Sequence, residues 1–121
     1  MARVYNPYQA DCPTRLVLDR VADKWVVLIL GLLEKSPMRF NQIRREIEGV
    51  SQKVLSQCLK KLERDGLVTR KAFATVPVTV EYAITPLGET LAAQVAGLTK
   101  WAERNIGKVQ TAQRAYDQRA A

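Results

Sequence analysis

The sequence predicts an α+β, mainly α fold: a winged helix-turn-helix with a long C-terminal dimerisation helix. Three observations point there. Phe40 to Ile47 and Ser51 to Asp65 read as two helices joined through Gly49, the second with a polar and basic face. Leu67 to Lys71 and Val78 to Tyr82 follow directly as two short strands, which make a wing. Beyond Pro86, an apolar stripe recurs at steps of three or four through Leu87, Leu91, Val95, Leu98, Ala102, Ile106 and Val109. That stripe is longer than one small domain can cover.

The elements follow in order. Residues 1–11 read as a mobile N-terminal arm, residues 12–110 as the winged domain and residues 111–121 as a polar tail, with fraying expected from Gln110. Cys12-Pro13-Thr14 opens a first helix, Thr14 to Val21, with Leu16, Val17 and Val21 on one face. Asp23 suits the N-cap of a second helix, Lys24 to Glu34. Ser36-Pro37 ends it, because the residue before proline disfavours the α region. Met38-Arg39-Phe40 is expected to add an edge strand. The third helix spans Asn41 to Ile47, with Ile43 and Ile47 four apart on a buried face. Ser51 is the expected N-cap of the fourth, whose core stripe is Val54, Leu55, Leu59 and Leu62. Gly66 stops it. Pro77 falls at the wing tip. Thr85 then caps the long helix, with Pro86 at its first position. Trp25 and Trp101 read as core residues rather than ligand platforms.

Composition narrows the function. The chain has 121 residues, enough for one domain that buries roughly two-thirds of its unfolded surface. Its 19 Lys and Arg exceed its 12 Asp and Glu by seven, and +5 of that +7 falls within residues 39–71. A local basic excess on a helix-turn-helix attracts a polyanion. There are no histidines, which excludes Ser-His-Asp and Cys-His catalysis and His-ligated metal sites. The two cysteines are far apart and have no zinc-site spacing. No glycine-rich phosphate loop is present, so an enzyme is a poor reading and no cofactor or metal is expected. The longest apolar run, Trp25 to Leu33, is too short for a membrane span. No signal-peptide pattern opens the chain, so a cytoplasmic location is expected.

The fourth helix carries the functional expectation. Its polar face has no acidic residue in the first turns, although the helix dipole favours one there. Gln52, Lys53, Ser56 and Gln57 are expected to meet base edges in the major groove. Lys60, Lys61, Arg70 and Lys71 are expected to meet the phosphate backbone. Arg39, Asn41, Ser51 and Thr79 complete the candidate DNA surface. Leu16, Leu91, Val95, Leu98, Trp101 and Ala102 are the candidate dimer interface. Binding as a homodimer would place two recognition helices about one DNA turn apart, on the order of 34 Å. The competing class is a winged domain used for protein association without DNA.

The motifs also resemble a known family, the HxlR-type regulators, bacterial winged-helix DNA-binding proteins related to the MarR group. The similarity lies in Cys12-Pro13, Asp23-Lys24-Trp25 with Leu28-Ile29-Leu30, and Arg39 through Arg45. It continues in Gly49-Val50-Ser51-Gln52-Lys53-Val54-Leu55, in Leu59 through Val68, in Val76-Pro77-Val78-Thr79-Val80-Glu81-Tyr82, in Thr85-Pro86-Leu87-Gly88 and in Trp101. The resemblance implies a cytoplasmic homodimer on pseudo-palindromic double-stranded operators, often a repressor of nearby genes. Several members of that family sense electrophiles or oxidants through a cysteine near the N-terminus. Two positions depart from the family pattern: Thr79 and Cys58 stand where a basic residue is common.

The cysteines divide accordingly. Cys12 lies at an expected helix start, where the dipole and Arg15 would favour thiolate and Asp11 would oppose it. It is the better sensor candidate. Cys58 borders the apolar stripe and reads as a small half-buried hydrophobe, or as a resolving partner for Cys12. A pocket for a small apolar effector at the dimer interface is the rival form of control.

Overall fold

The computed structural model describes residues 4–120. Five helices and three strands run α1 Thr14–Val21, α2 Lys24–Lys35, β1 Met38–Arg39, α3 Phe40–Glu46, α4 Gln52–Arg64, β2 Val68–Phe73, β3 Thr79–Ile84 and α5 Pro86–Ala120. The sheet is antiparallel, ordered β1-β3-β2. Met38 pairs with Tyr82, and Val68 through Phe73 pair with Ile84 back through Thr79.

Local chemistry sets the boundaries. The Asp23 side chain accepts from Trp25 N at 2.9 Å and caps α2. Ser51 Oγ accepts from Val54 N at 3.1 Å and caps α4. Thr85 Oγ1 accepts from Gly88 N at 3.0 Å, with Pro86 at the first position of α5. Gly66 closes α4 with φ +75°: Leu67 N donates to Leu62 O at 2.9 Å and Gly66 N to Glu63 O at 3.1 Å. This paired closure needs the left-handed residue that glycine supplies.

One core joins the helices to the sheet. Val26, Ile29, Leu30 and Leu33 of α2 meet Ile43 and Ile47, then Leu55, Cys58, Leu59 and Leu62 of α4. Val68, Tyr82, Ala92 and Val95 close it from the wing base and α5. With the stripe of α4 inside, its polar side is left outside.

The arm, where it is described, is bonded within itself and to α1. Gln9 N donates to Asn6 O, Cys12 N to Gln9 O, and the Arg15 guanidinium binds the Pro7 and Tyr8 carbonyls at 2.8 and 2.9 Å. Residues 1–3 of that arm lie outside the described residues. Three expectations are corrected. The tail does not fray at Gln110, because α5 runs unbroken to Ala120. Ala, Gln and Arg there are strong helix formers extending an existing helix, so nucleation costs nothing further. Trp101 is 60 % exposed and belongs to no core of its own chain. Val95 is 2 % exposed and packs inside the core, so it is already covered without a partner.

α5 has 35 residues, hence is about 50 Å long at 1.5 Å per residue. Its buried side chains, Ala92 and Val95, lie in its first third. Leu98, Trp101, Ile106, Val109 and Tyr116 beyond them are exposed. α1 buries no residue at all, and Leu16, Val17 and Leu18 face outward.

Candidate nucleic-acid interface

α4 presents the face that its sequence suggests. Leu55, Cys58, Leu59 and Leu62 are buried, while Gln52, Lys53, Gln57, Lys60 and Lys61 are exposed and Ser56 is half-buried. No acid occupies the first turn. Ser51 is exposed, but its hydroxyl is committed to the cap. Gln carries a donor and an acceptor suited to base edges, and lysine a point charge suited to phosphates.

The wing flanks this face. Thr69, Arg70, Lys71 and Ala72 of β2 are all exposed, so this limb stands clear of the body. Lys71 Nζ lies 5.1 Å from the Phe73 ring. The turn is tied by Thr75, whose hydroxyl donates to Pro77 O at 2.8 Å and lies 3.2 Å from Thr79 Oγ1. Thr79 is thus partly engaged in holding the wing. Residues 72–80 carry no charge. Arg39 and Asn41 are exposed at the start of α3, with Arg39 N donating to Gln42 Oε1 at 2.9 Å.

The cysteines differ in kind. Cys12 precedes α1 by two residues and is 8 % exposed. Its pKa is lowered, first by the Thr14 hydroxyl 3.0 Å from Sγ; burial and Asp11 oppose this, and the Thr14 and Asn6 backbones assist. Arg15 does not contribute to this lowering, and its guanidinium binds carbonyls of the arm. Cys58 is not half-buried but 3 % exposed, with Sγ 3.9 Å from Asp23 Oδ2. Burial, then the Asp23 charge, raises its pKa, with Lys61 opposing. A deep thiol facing a carboxylate is a poor nucleophile. That weakens the resolving role expected for it.

One connection was invisible in the sequence. Arg20 at the end of α1 donates to Asp65, the residue closing α4, at 2.5 Å. The side chains are 14 % and 12 % exposed, and the carboxylate raises the Arg20 pKa. The two residues are 45 apart in the chain, so no local pattern announces them. They form part of a groove of about 510 Å³ whose apolar walls include Leu16, Val17, Leu67 and Leu91.

A capped helix with a polar, acid-free outer face, entered through a tight turn and followed by a projecting hairpin, defines a winged helix-turn-helix DNA-binding protein. The model of the HxlR-like helix-turn-helix family matches residues 20–110, and the chain belongs to that family. It is 45 % identical to the uncharacterized HTH-type transcriptional regulator YtfH of Escherichia coli K12, covering 96 % of this chain and 90 % of that protein. Its fold matches the transcriptional regulator ytfH of Salmonella typhimurium with a TM-score of 0.86. That pair is 41 % identical, with 92 % and 99 % of the two chains covered. The redox regulator HypR in its oxidized form matches at TM-score 0.72 and 35 % identity, over 78 % and 97 % of the two chains. The protein is therefore a helix-turn-helix transcriptional regulator. None of its described helices is long and apolar enough to cross a membrane.

Proposed function

We propose that the protein is a cytoplasmic repressor that grips a pseudo-palindromic operator as a homodimer. The observation that carries this reading is the outer face of α4, polar, exposed and free of acid through its first turn. Gln52, Lys53, Ser56 and Gln57 read bases there. Lys60, Lys61, Arg70 and Lys71 hold the backbone, with Arg39, Asn41, Ser51 and Thr79 at the margins. Leu16, Leu91, Leu98, Trp101 and Ala102 join two subunits; support comes from the uncovered apolar length of α5 and the outward face of α1. Gel shifts of genomic fragments across a salt series test the reading. Lys53→Ala and Gln57→Ala should lower operator affinity and relax base choice. Unchanged affinity and preference in both variants would remove α4 as the reading face.

Control by Cys12 is favoured by its lowered pKa and by the likeness to a redox regulator. Addition of its thiolate to a quinone places bulk at the head of α1, beside the dimer surface. A shift there changes the separation of the recognition helices without any Cys12–DNA contact. Operator affinity of the parent should fall on quinone treatment, and that of Cys12→Ser should not. Equal retention in both would leave the α1–α5 groove, which suits a small apolar effector, as the place of control.

A further inference from the structure

A second basic wall stands beside the recognition helix. Between α3 and the returning limb of the wing runs a cleft of about 470 Å³. Arg39, Asn41, Gln42 and Arg45 line one side, and Pro77 through Val80 line the other. All four polar side chains are exposed. Neither arginine is in an ion pair among the described residues, where the pair found is Arg20–Asp65. The sheet register explains part of this. Glu81 stands opposite Arg39 on one side and opposite Lys71 on the other, so one carboxylate faces two cations. Arg45 has no such cross-strand neighbour. The wing wall brings no charge of its own, since residues 72–80 are neutral. The cleft is thus cationic on one side and uncharged, mostly apolar, on the other. A sugar–phosphate backbone has the matching pair of surfaces.

We propose that this cleft seats one phosphate of duplex DNA, held by Arg45 and Arg39, while Pro77 and Val78 pack against the adjoining sugar. A guanidinium offers a planar fork of donors that matches phosphate oxygens. Asn41 and Gln42 add neutral donors at the same edge. The seat fixes the position of the wing on the duplex and carries no sequence information. This rests on the DNA-binding reading and adds to it a contact that α4 does not make. The alternative for Arg45 is a solvated charge in the last turn of a helix, a position that Arg44 shares. Arg44 is exposed as well but does not line the cleft. The two neighbours therefore form an internal comparison.

The test uses the full-length protein and a fluorescein-labelled 30-base-pair duplex of mixed sequence. Anisotropy titrations between 50 and 200 mM KCl give the slope of log K against log salt. Arg45→Gln should flatten that slope by about 1.8 for the homodimer, about 0.9 for each of its two phosphate contacts. Arg45→Lys should restore it, because a point charge still neutralises the phosphate. Arg44→Gln should leave it close to the parent. An operator duplex with single methylphosphonates then locates the seat: one substitution in each half-site should weaken the parent and leave Arg45→Gln unchanged. Equal slope losses from Arg44→Gln and Arg45→Gln, or no loss from either, would overturn the seat while duplex binding by the parent stands. A parent that binds no duplex at any salt would overturn both the seat and the function it rests on.

Discussion

Gly88→Ala is the substitution whose cost the structure specifies most closely. Gly88 lies in the first turn of α5, pressed against the chain that leaves α4. A Cβ there would sit 2.1 Å from Leu67 O and 2.7 Å from Ile84 Cγ1. The first obstacle is a backbone carbonyl, which cannot rotate away as a side chain can. Ordinary contact begins near 3.4 Å, so α5 and the Leu67 peptide must separate by about 1.3 Å. Such a movement strains the 3.0 Å bond from Thr85 N to the same Leu67 oxygen. It also disturbs Ala92 and Val95 in the core. Overpacking costs about 1–3 kcal/mol and a weakened hydrogen bond about 1 kcal/mol. The better helix propensity of alanine returns about 1 kcal/mol. A net loss of about 1–3 kcal/mol is expected. Urea unfolding followed by circular dichroism, at one fixed protomer concentration, reads it. Gly31→Ala and Gly107→Ala serve as controls: nothing lies within 4 Å of either added Cβ, and a gain of up to about 1 kcal/mol is expected. If Gly88→Ala unfolds at the same urea concentration as the controls, the close approach of α5 to Leu67 is wrong.

Asp65→Asn should cost up to about 1.5–3 kcal/mol, the range for a hydrogen bond to a charged group, because it leaves Arg20 without its charged partner. Arg20→Met combined with Asp65→Asn should lose less than the sum of the singles, and additivity would show the pair to be unimportant. Cys12 should react with iodoacetamide at lower pH than Cys58. A lowered pKa moves the thiolate fraction down the pH scale, and a raised one moves it up. Thr14→Val should shift the Cys12 profile back toward higher pH; mass spectrometry of each thiol across pH 6–10 (roughly the span over which thiols titrate) decides this. Faster labelling of Cys58 would contradict it. Leu98→Glu should convert a dimer into a monomer by light scattering at micromolar concentration, and a parent that is already monomeric would remove α5 as the pairing element.

Much of the fold was legible because each boundary has local chemistry behind it. Asp23, Ser51 and Thr85 cap the helices they were expected to cap, and Gly66 takes the left-handed turn. The strands run farther than expected, to Phe73 and Ile84; in β2 the exposed residues Thr69 to Ala72 leave no hydrophobic trace. The basic face of α4 was legible from period and charge together. What remained hidden depends on distance or direction. Arg20 and Asp65 meet across 45 residues. The Thr14 hydroxyl, rather than Arg15, sets the Cys12 thiol, and the Arg15 guanidinium binds the arm. Val95 belongs to the same periodic stripe as Leu98, yet Val95 is buried in the core and Leu98 is 57 % exposed. Periodicity identifies a face, but it does not say whether the chain itself or a second copy covers it.

Hydroxyl-radical footprinting bears most directly on the reading of a dimer that recognises operator DNA. The duplex would be a genomic fragment enriched by the protein itself, at about 150 mM salt, where nonspecific binding is weak. Two protected stretches should appear with their centres about 10 base pairs apart, one helical turn, as two recognition helices on one face require. Gln57→Ala should lose that pattern before it loses general affinity for DNA. Protection at a single stretch would contradict the dimeric arrangement. No fragment bound in preference to mixed-sequence DNA would contradict sequence-specific regulation altogether.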